Sequence, residues 1–228
     1  MRKNGSRILS VGQYRLTDLL LFTVILVVYD LLAQYALQRF AGSLGLFAFT
    51  LTVPIVVLIM MRWGWWSVFF AVGDGILLSA LINPTMWQAY VSLSVGNAAM
   101  MLLLIPLKLI GKKKIAGKWY FSALFVISAW ILSVLGISVV QTICGFNFAE
   151  SFAANAGVGR TGLLALFVAV LLITVLRRFD GMFEDQVTYL KRLDKERREK
   201  MEGDNFGWEP IEISEEDISI LKKDDEDL

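Results

Sequence analysis

The chain has 228 residues, of which 56% are hydrophobic, and its 22 basic and 21 acidic residues leave a formal net charge of +1. It contains no histidine, which excludes Ser–His and Cys–His nucleophile pairs and zinc or haem held by histidine. The single cysteine, Cys144, excludes an internal disulfide. We therefore expect no enzymatic activity and no resident cofactor.

Six long apolar stretches dominate the sequence. An apolar helix needs about 20 residues to cross a hydrocarbon core about 30 Å thick, and a closely packed helix crosses with somewhat fewer. Non-helical backbone facing lipid would leave its N–H and C=O groups unpaired, so each crossing should be a helix. The predicted spans cover residues 17–38, 44–61, 65–82, 89–107, 119–143 and 162–176.

The basic residues beside these spans fall almost entirely on one side. The other side has only Arg39 and Arg160. Because basic residues near span ends stay in the cytoplasm, both termini are predicted to be cytoplasmic and Cys144 to lie outside. The predicted fold class is an all-α membrane protein, a six-transmembrane-helix bundle, in a bacterial plasma membrane. The residues on the basic side are Arg2, Lys3, Arg7, Arg15, Arg62, Lys108, Lys112, Lys113, Lys114, Lys118, Arg177 and Arg178.

The charge divides the chain into two predicted domains. Residues 1–179 carry a net charge of +10 and form the transmembrane domain, whereas residues 180–228 carry −9 and form a cytoplasmic tail. An amphipathic helix at about 181–200 should follow the membrane surface. Residues 204–228 are interpreted either as a disordered acidic end or as a peptide that docks on a basic cytoplasmic partner. The stripe of the amphipathic helix consists of Phe183, Val187, Leu190 and Leu193.

Asp30 is a carboxylate inside the first predicted span. Such groups are costly in a bilayer and usually face the bundle interior or a watery cavity. Asp30, Gln34 and Gln38 recur every four residues, so they share one face of the helix. This stripe is interpreted either as the wall of a solute cavity or as a hydrogen-bonding seam between helices.

Asp74 lies near the middle of the third predicted span. Its neighbours Gly73 and Gly75 should let another backbone come close and shield the carboxylate from lipid. Asp74 is interpreted either as a structural hydrogen-bonding group or as a group linked to a solute or a proton. Acid–base chemistry would require Asp30 to meet Asp74, which the sequence leaves open.

Other polar and aromatic side chains collect toward the predicted outer side. A buried ligand site usually sets a few polar groups in an apolar wall. Trp87 is alternatively interpreted as an anchor at the membrane interface. The polar residues of the outer loop are alternatively interpreted as simply exposed to solvent. We predict an outward-opening substrate pocket lined by Gln34, Arg39, Asn83, Trp87, Gln141, Asn147, Asn155 and Arg160.

Two stretches carry a resemblance to a known family. The run Met61-Arg-Trp-Gly-Trp-Trp-Ser-Val-Phe-Phe-Ala-Val-Gly-Asp-Gly75 leads from an aromatic turn into a glycine-rich span. A basic loop at residues 108–118 follows a span that contains Gly96-Asn97. With six spans, residues 15–178 resemble the substrate-binding (S) components of energy-coupling factor transporters.

The resemblance implies a function in nutrient or vitamin uptake. Such a bundle would capture a small molecule from outside and dock on a transmembrane coupling subunit driven by ATPase subunits. The family's coupling signature is a pair of alanines four apart in the first span, whereas Ala33 and Ala36 are three apart here. The acidic tail is also not typical of the family.

The expected partners are therefore a small-molecule solute, membrane lipids, the coupling and ATPase subunits and a possible cytoplasmic partner for residues 204–228. No nucleic-acid partner is expected. The alternative function is a non-transporting scaffold in a bacterial cell-envelope complex similar to the rod-shape machinery, whose membrane subunits have a similar size and topology.

Overall fold

In a computed structural model of the chain, the described residues are 11–40, 50–82, 85–156, 161–179, 181–184 and 186–203. Every regular element in these residues is helical. The predicted all-helical fold is confirmed for these residues, and four described segments are long and apolar enough to cross a membrane, as expected of a membrane protein. These segments are Val11–Tyr35, Thr52–Leu81, Trp87–Ile110 and Trp119–Ile143, and a shorter apolar helix covers Ala165–Leu176.

The helices follow one another with short connections. A 3-10 turn at Gly64–Trp66 joins α2 to α3, and another at Ala99–Leu103 joins α4 to α5. The helices are α1 (Val11–Phe40), α2 (Thr52–Trp63), α3 (Ser67–Ile82), α4 (Trp87–Ala98), α5 (Leu104–Ile110), α6 (Lys112–Gly117), α7 (Trp119–Ile143), α8 (Phe148–Asn155), α9 (Thr161–Leu176) and α10 (Gln186–Gly203).

The segment Thr52–Leu81 is a hairpin rather than one straight rod. Gly64 interrupts the helix with φ 62° and ψ −120°, a conformation that favours glycine. Thr52 Oγ1 donates a hydrogen bond to the carboxyl group of Asp74. A straight helix would separate these two residues by about 33 Å, so α2 and α3 must run antiparallel. The reversal lies at the boundary predicted between the second and third spans.

The first arm of the hairpin is the centre of the core. All 12 residues of α2 are buried, which suits an apolar sequence without a polar face. The helix packs against α3, α7 and α9. Its length is about 18 Å, less than the thickness of a hydrocarbon core. The second span was predicted at residues 44–61, so α2 begins eight residues later, and residues 44–49 lie outside the described part of the chain.

Small residues set the contact between α4 and α7. A Cβ atom on Gly96 would lie 2.5 Å from the Ile137 Cα, and one on Gly136 would collide with the Gly96 carbonyl oxygen. This close approach lets Ser133 Oγ donate to Asn97 Oδ1 over 2.6 Å inside the bundle. Gly96 and Asn97 are therefore parts of a helix–helix contact.

Arg62 is buried at the end of α2, with 6% of its surface exposed. Its Nη1 donates to the Gly181 carbonyl oxygen over 3.2 Å and lies 3.6 Å from the Met182 sulfur. Its guanidinium carbon also lies 5.7 Å from the centre of the Phe22 ring. A single cation thus holds α1, α2 and the turn after α9 together at this end of the bundle.

Aromatic side chains cluster beside the hairpin turn and at the start of α7. Trp65 and Trp66 lie 5.7 and 5.5 Å from Phe69, measured between ring centres. Lys118 lies 5.7 Å from the Tyr120 ring centre, at the end of the basic loop. Aromatic rings beside cations are typical of the interface between the hydrocarbon core and the headgroups.

The contacts between residues divide the chain into two units, which are Leu21–Asp185 and a second unit made of Met1–Leu20 with Gln186–Leu228. In the second unit Tyr14 Oη donates to the buried Gln186 side chain over 3.3 Å. Phe183 was predicted to lie on the apolar stripe of the amphipathic helix. Helix α10 begins at Gln186, so Phe183 precedes the helix instead. Residues 204–228, the predicted docking segment, lie outside the described residues.

Candidate functional site

Asp30 and Asp74 meet inside the bundle, which answers the question that the sequence left open. Only 1% of Asp30 and 2% of Asp74 are exposed. The two carboxyl groups are close enough to interact with each other, and the Thr50 hydroxyl group is close to both of them. We call Asp30 and Asp74 the carboxyl pair. It joins α1 to the middle of α3 beside the first turn of α2.

Two hydroxyl groups form a chain that ends on the carboxyl pair. Thr52 Oγ1 donates to Asp74 Oδ2, and the Thr50 and Thr52 hydroxyl oxygens are 2.5 Å apart. A hydroxyl group carries one proton, so Thr50 must donate to Thr52 once Thr52 donates to Asp74. The Thr52 backbone N–H in turn donates to Thr50 Oγ1 over 3.1 Å. This arrangement directs both hydroxyl protons along the chain toward Asp74.

The carboxyl pair has fewer donors than acceptors. Both carboxyl oxygens of Asp30, and Oδ1 of Asp74, are buried and receive no N–H or O–H donor from the described residues. Leaving a buried polar group unsatisfied costs about 1–3 kcal/mol, and more for a charged group. Two adjacent carboxylates in an apolar environment also repel each other. The site can therefore hold a proton or another positive group.

The start of α2 favours negative charge on one member of the pair. Thr52 is the first residue of α2 and donates its hydroxyl proton to Asp74, so the carboxyl group lies near the positive end of that helix dipole. Asp30 lies on α1, away from any helix end, and neither of its carboxyl oxygens receives a well-formed hydrogen bond from the described residues. The two carboxyl groups are thus chemically unequal, and Asp74 is the one better placed to be ionised.

Close helix packing shields the pair. A Cβ atom on Gly75 would lie 2.6 Å from the backbone carbonyl carbon of Leu93 and from the Ser94 Cα, so α4 comes close to α3 next to Asp74. A Cβ atom on Gly73 would meet nothing within 4 Å. A close approach of another helix was predicted at both glycines, and it occurs at Gly75 but not at Gly73.

The position of Asp74 along α3 matches the middle of a membrane span. Asp74 follows Trp66, at the interface-like aromatic cluster, by eight residues, which is about 12 Å along a helix. A hydrocarbon core is about 30 Å thick, so a residue about 12 Å from an interfacial aromatic cluster would lie near its middle.

The predicted pocket residues meet only in part. Asn155 Nδ2 donates to Gln141 Oε1 over 2.8 Å and to Ser138 Oγ over 3.1 Å, so these groups fasten α8 to α7. Asn147 Oδ1 accepts the backbone N–H groups of the first turn of α8 and therefore caps that helix. The amide groups of the loop thus already have structural hydrogen bonds.

The other pocket residues lie apart from this cluster or outside the description. Trp87 is 62% exposed at the start of α4, as an interfacial anchor would be. Gln34 is half-buried, one turn beyond Asp30 on α1. The side chains of Arg39, Asn83 and Arg160 lie outside the described part of the chain.

Sequence reasoning missed Thr50 and Thr52. They stand at the start of the mainly apolar helix α2, and threonine is a common residue at helix starts. That pattern was the available signal, and it marks a helix start without indicating a carboxyl partner.

No family model matches the chain, and comparisons with curated proteins and with solved structures likewise find no match.

Proposed function

We propose that the chain is the solute-binding subunit of a nutrient or vitamin uptake transporter in a bacterial plasma membrane. In this proposal it has six spans and cytoplasmic termini, and it docks on a transmembrane coupling subunit driven by ATPase subunits. The observation that carries the proposal is the carboxyl pair with three buried oxygens that lack donors.

Ionisable residues in the middle of a membrane protein usually belong to a substrate or ion pathway. A purely structural core has no need of two adjacent carboxyl groups, because apolar side chains of similar volume often stabilise a core as well as a buried ionic group. The carboxyl pair is therefore better explained by binding than by packing.

Helix α1 offers a surface for the coupling subunit. Its described part buries only one stripe, Phe22, Leu26 and Asp30, and the rest of its apolar surface faces outward. In a membrane this surface contacts lipid or another helix. The exposed side chains include Leu16, Leu20, Leu21, Val24, Val28, Leu31 and Leu32.

The scaffold alternative is favoured by a different observation. Helix α10 is a long, highly charged element held to the start of α1 through Tyr14 and Gln186. Such a helix can bind a partner without any solute. A scaffold would copurify with protein partners in fixed proportion and with no bound small molecule.

The proposed topology predicts where thiol reagents react. Cys144 is free and half-buried just after α7, so a membrane-impermeant maleimide should label it in intact cells. In a Cys144→Ser background, Lys113→Cys in the basic loop should react only after the cells are permeabilised. Labelling of Lys113→Cys in intact cells would reverse the proposed orientation.

The proposed function predicts a small molecule bound to the purified protein. Mass spectrometry of the denatured wild-type protein should show a compound in near-stoichiometric amount that a mock purification lacks. Asp30→Asn should lower its affinity about tenfold, equivalent to 1.4 kcal/mol, because a charged or hydrogen-bonding group is lost from the site. Asp18→Asn, on the same helix but three turns away, is the matched control.

Two results would contradict this proposal. A wild-type protein that carries no compound beyond the mock purification would not be a solute-binding subunit. A compound retained equally by wild type, Asp30→Asn and Asp74→Asn would bind somewhere other than the carboxyl pair.

A further inference from the structure

We infer that Asp30 and Asp74 form a proton-binding site in which one proton is held between the two carboxyl groups and fastens α1 to the hairpin of α2 and α3. This inference concerns the protein without any solute, so it stands independently of the proposed function.

A hydrogen bond between Asp30 and Asp74 requires a proton on one of the two carboxyl groups. An ionised carboxylate only accepts hydrogen bonds, so two carboxyl groups in hydrogen-bonding contact need a proton on one of them. The Thr50 and Thr52 hydroxyl protons are already directed along the chain to Asp74 Oδ2. Because Asp74 is the better placed to be ionised, Asp30 carries the proton and donates it to Asp74 Oδ1.

No described basic group replaces the proton. Arg62, the basic residue of α2, is ten residues from Thr52 and therefore about 15 Å from the pair. Tyr29 is next to Asp30 on α1 and interacts with it electrostatically, and α1 also carries Tyr35 about one turn beyond Asp30. The remaining helices around the pair contribute Tyr90 of α4 and Tyr120 of α7, and α3 and α9 contribute no charged side chain besides Asp74.

The proton controls the attachment of one helix. In the described residues 21–35, α1 buries only Phe22, Leu26 and Asp30, and Phe22 lies at the far end near Arg62. Among residues 27–35 of α1, Asp30 is the one fully buried side chain, so it is a main contact of this part of α1 with the hairpin. Removing the proton places two negative charges side by side, and their repulsion pushes α1 away from the hairpin.

Infrared spectroscopy tests the proton directly. The full-length protein in lipid nanodiscs at neutral pH should show the C=O stretching band of a protonated carboxylic acid, which differs from the bands of carboxylates. The band should disappear on strong alkalinisation. It should be absent from Asp30→Asn, in which Asp74 keeps its Thr52 donor, and it should remain in Asp18→Asn. Absence of the band from the wild type would overturn the inference, whether or not any variant folds.

The pH dependence of stability is the second test. Unfolded aspartates ionise near pH 3.9, so at neutral pH the folded pair would hold one proton more than the unfolded chain. Stability then falls as the pH rises, and the equilibrium constant for unfolding should increase about tenfold per pH unit until the folded pair itself loses the proton. Asp30→Asn should remove this slope, because its amide group donates to Asp74 at every pH.

Sodium and choline chloride at equal ionic strength complete the test. Equal stability in the two salts is expected for a site that holds a proton. A sodium-specific gain in stability that is lost in Asp30→Asn would show that the pair binds a metal ion instead. A pH slope that persists in both Asn variants would also overturn the inference.

Discussion

Alanine in place of Gly75 is expected to lower the free energy of unfolding by about 3 kcal/mol, the upper end of the usual cost of overpacking. The added Cβ would lie 2.6 Å from the Leu93 carbonyl carbon and from the Ser94 Cα. These are backbone atoms of α4, which cannot rotate away as a side chain can. The measurement is reversible denaturation of the full-length protein in mixed micelles.

Gly73→Ala is the matched control, two residues earlier in the same helix. Its Cβ would meet nothing within 4 Å, and alanine favours a helix over glycine by about 1 kcal/mol, so a small gain in stability is expected. Equal losses in the two variants would mean that α3 and α4 do not approach each other at Gly75.

Arg62→Met is expected to lower the free energy of unfolding by about 2–3 kcal/mol, since hydrogen bonds made by a charged donor contribute about 1.5–3 kcal/mol. Methionine fills much of the same volume but leaves the Gly181 carbonyl oxygen without its donor. The turn after α9 should loosen, and trypsin should then cleave faster after Arg177 and Arg178.

Two further variants separate the causes. Arg62→Lys keeps the charge but loses the planar fork of donors, so an intermediate loss is expected. Arg178→Met removes an exposed cation close to the same turn and should leave the stability nearly unchanged. A loss in Arg178→Met as large as that in Arg62→Met would point to net charge as the cause.

The helical membrane class was predictable because long apolar stretches are a local property of the sequence. The limits of α7 coincide with the predicted fifth span, and the hairpin turns at Gly64, between two predicted spans. The late start of α2 was missed because hydropathy does not register a helix start, although Thr50 and Thr52 carried a local signal for one. The number of spans and their orientation stay predictions.

The candidate site was predictable only as separate residues. Asp30 and Asp74 are conspicuous because a carboxylate is costly in a bilayer. Helical periodicity gives the face on which each lies, but it does not give the register between two helices. Their contact therefore became visible only in the structure.

The role of Asn147 had a usable local signal. Asparagine followed three residues later by Glu150 is a common pattern at a helix start. From the sequence, Asn147 is predicted to lie in a solvated loop or to line a pocket, and no helix is predicted at the position of α8. An amide group committed to a helix end has less capacity left for a solute.

The short first arm of the hairpin has a consequence for how the chain enters the bilayer during synthesis. A helix of 12 residues cannot hold a transmembrane position alone, and an aspartate at the centre of the following helix opposes insertion by about 2.5–3.5 kcal/mol. Thr52 supplies a partner for Asp74 from within the same hairpin. We therefore expect α2 and α3 to enter the lipid from the translocon together as a preassembled pair. The pair would then pack against α1, which is inserted before it.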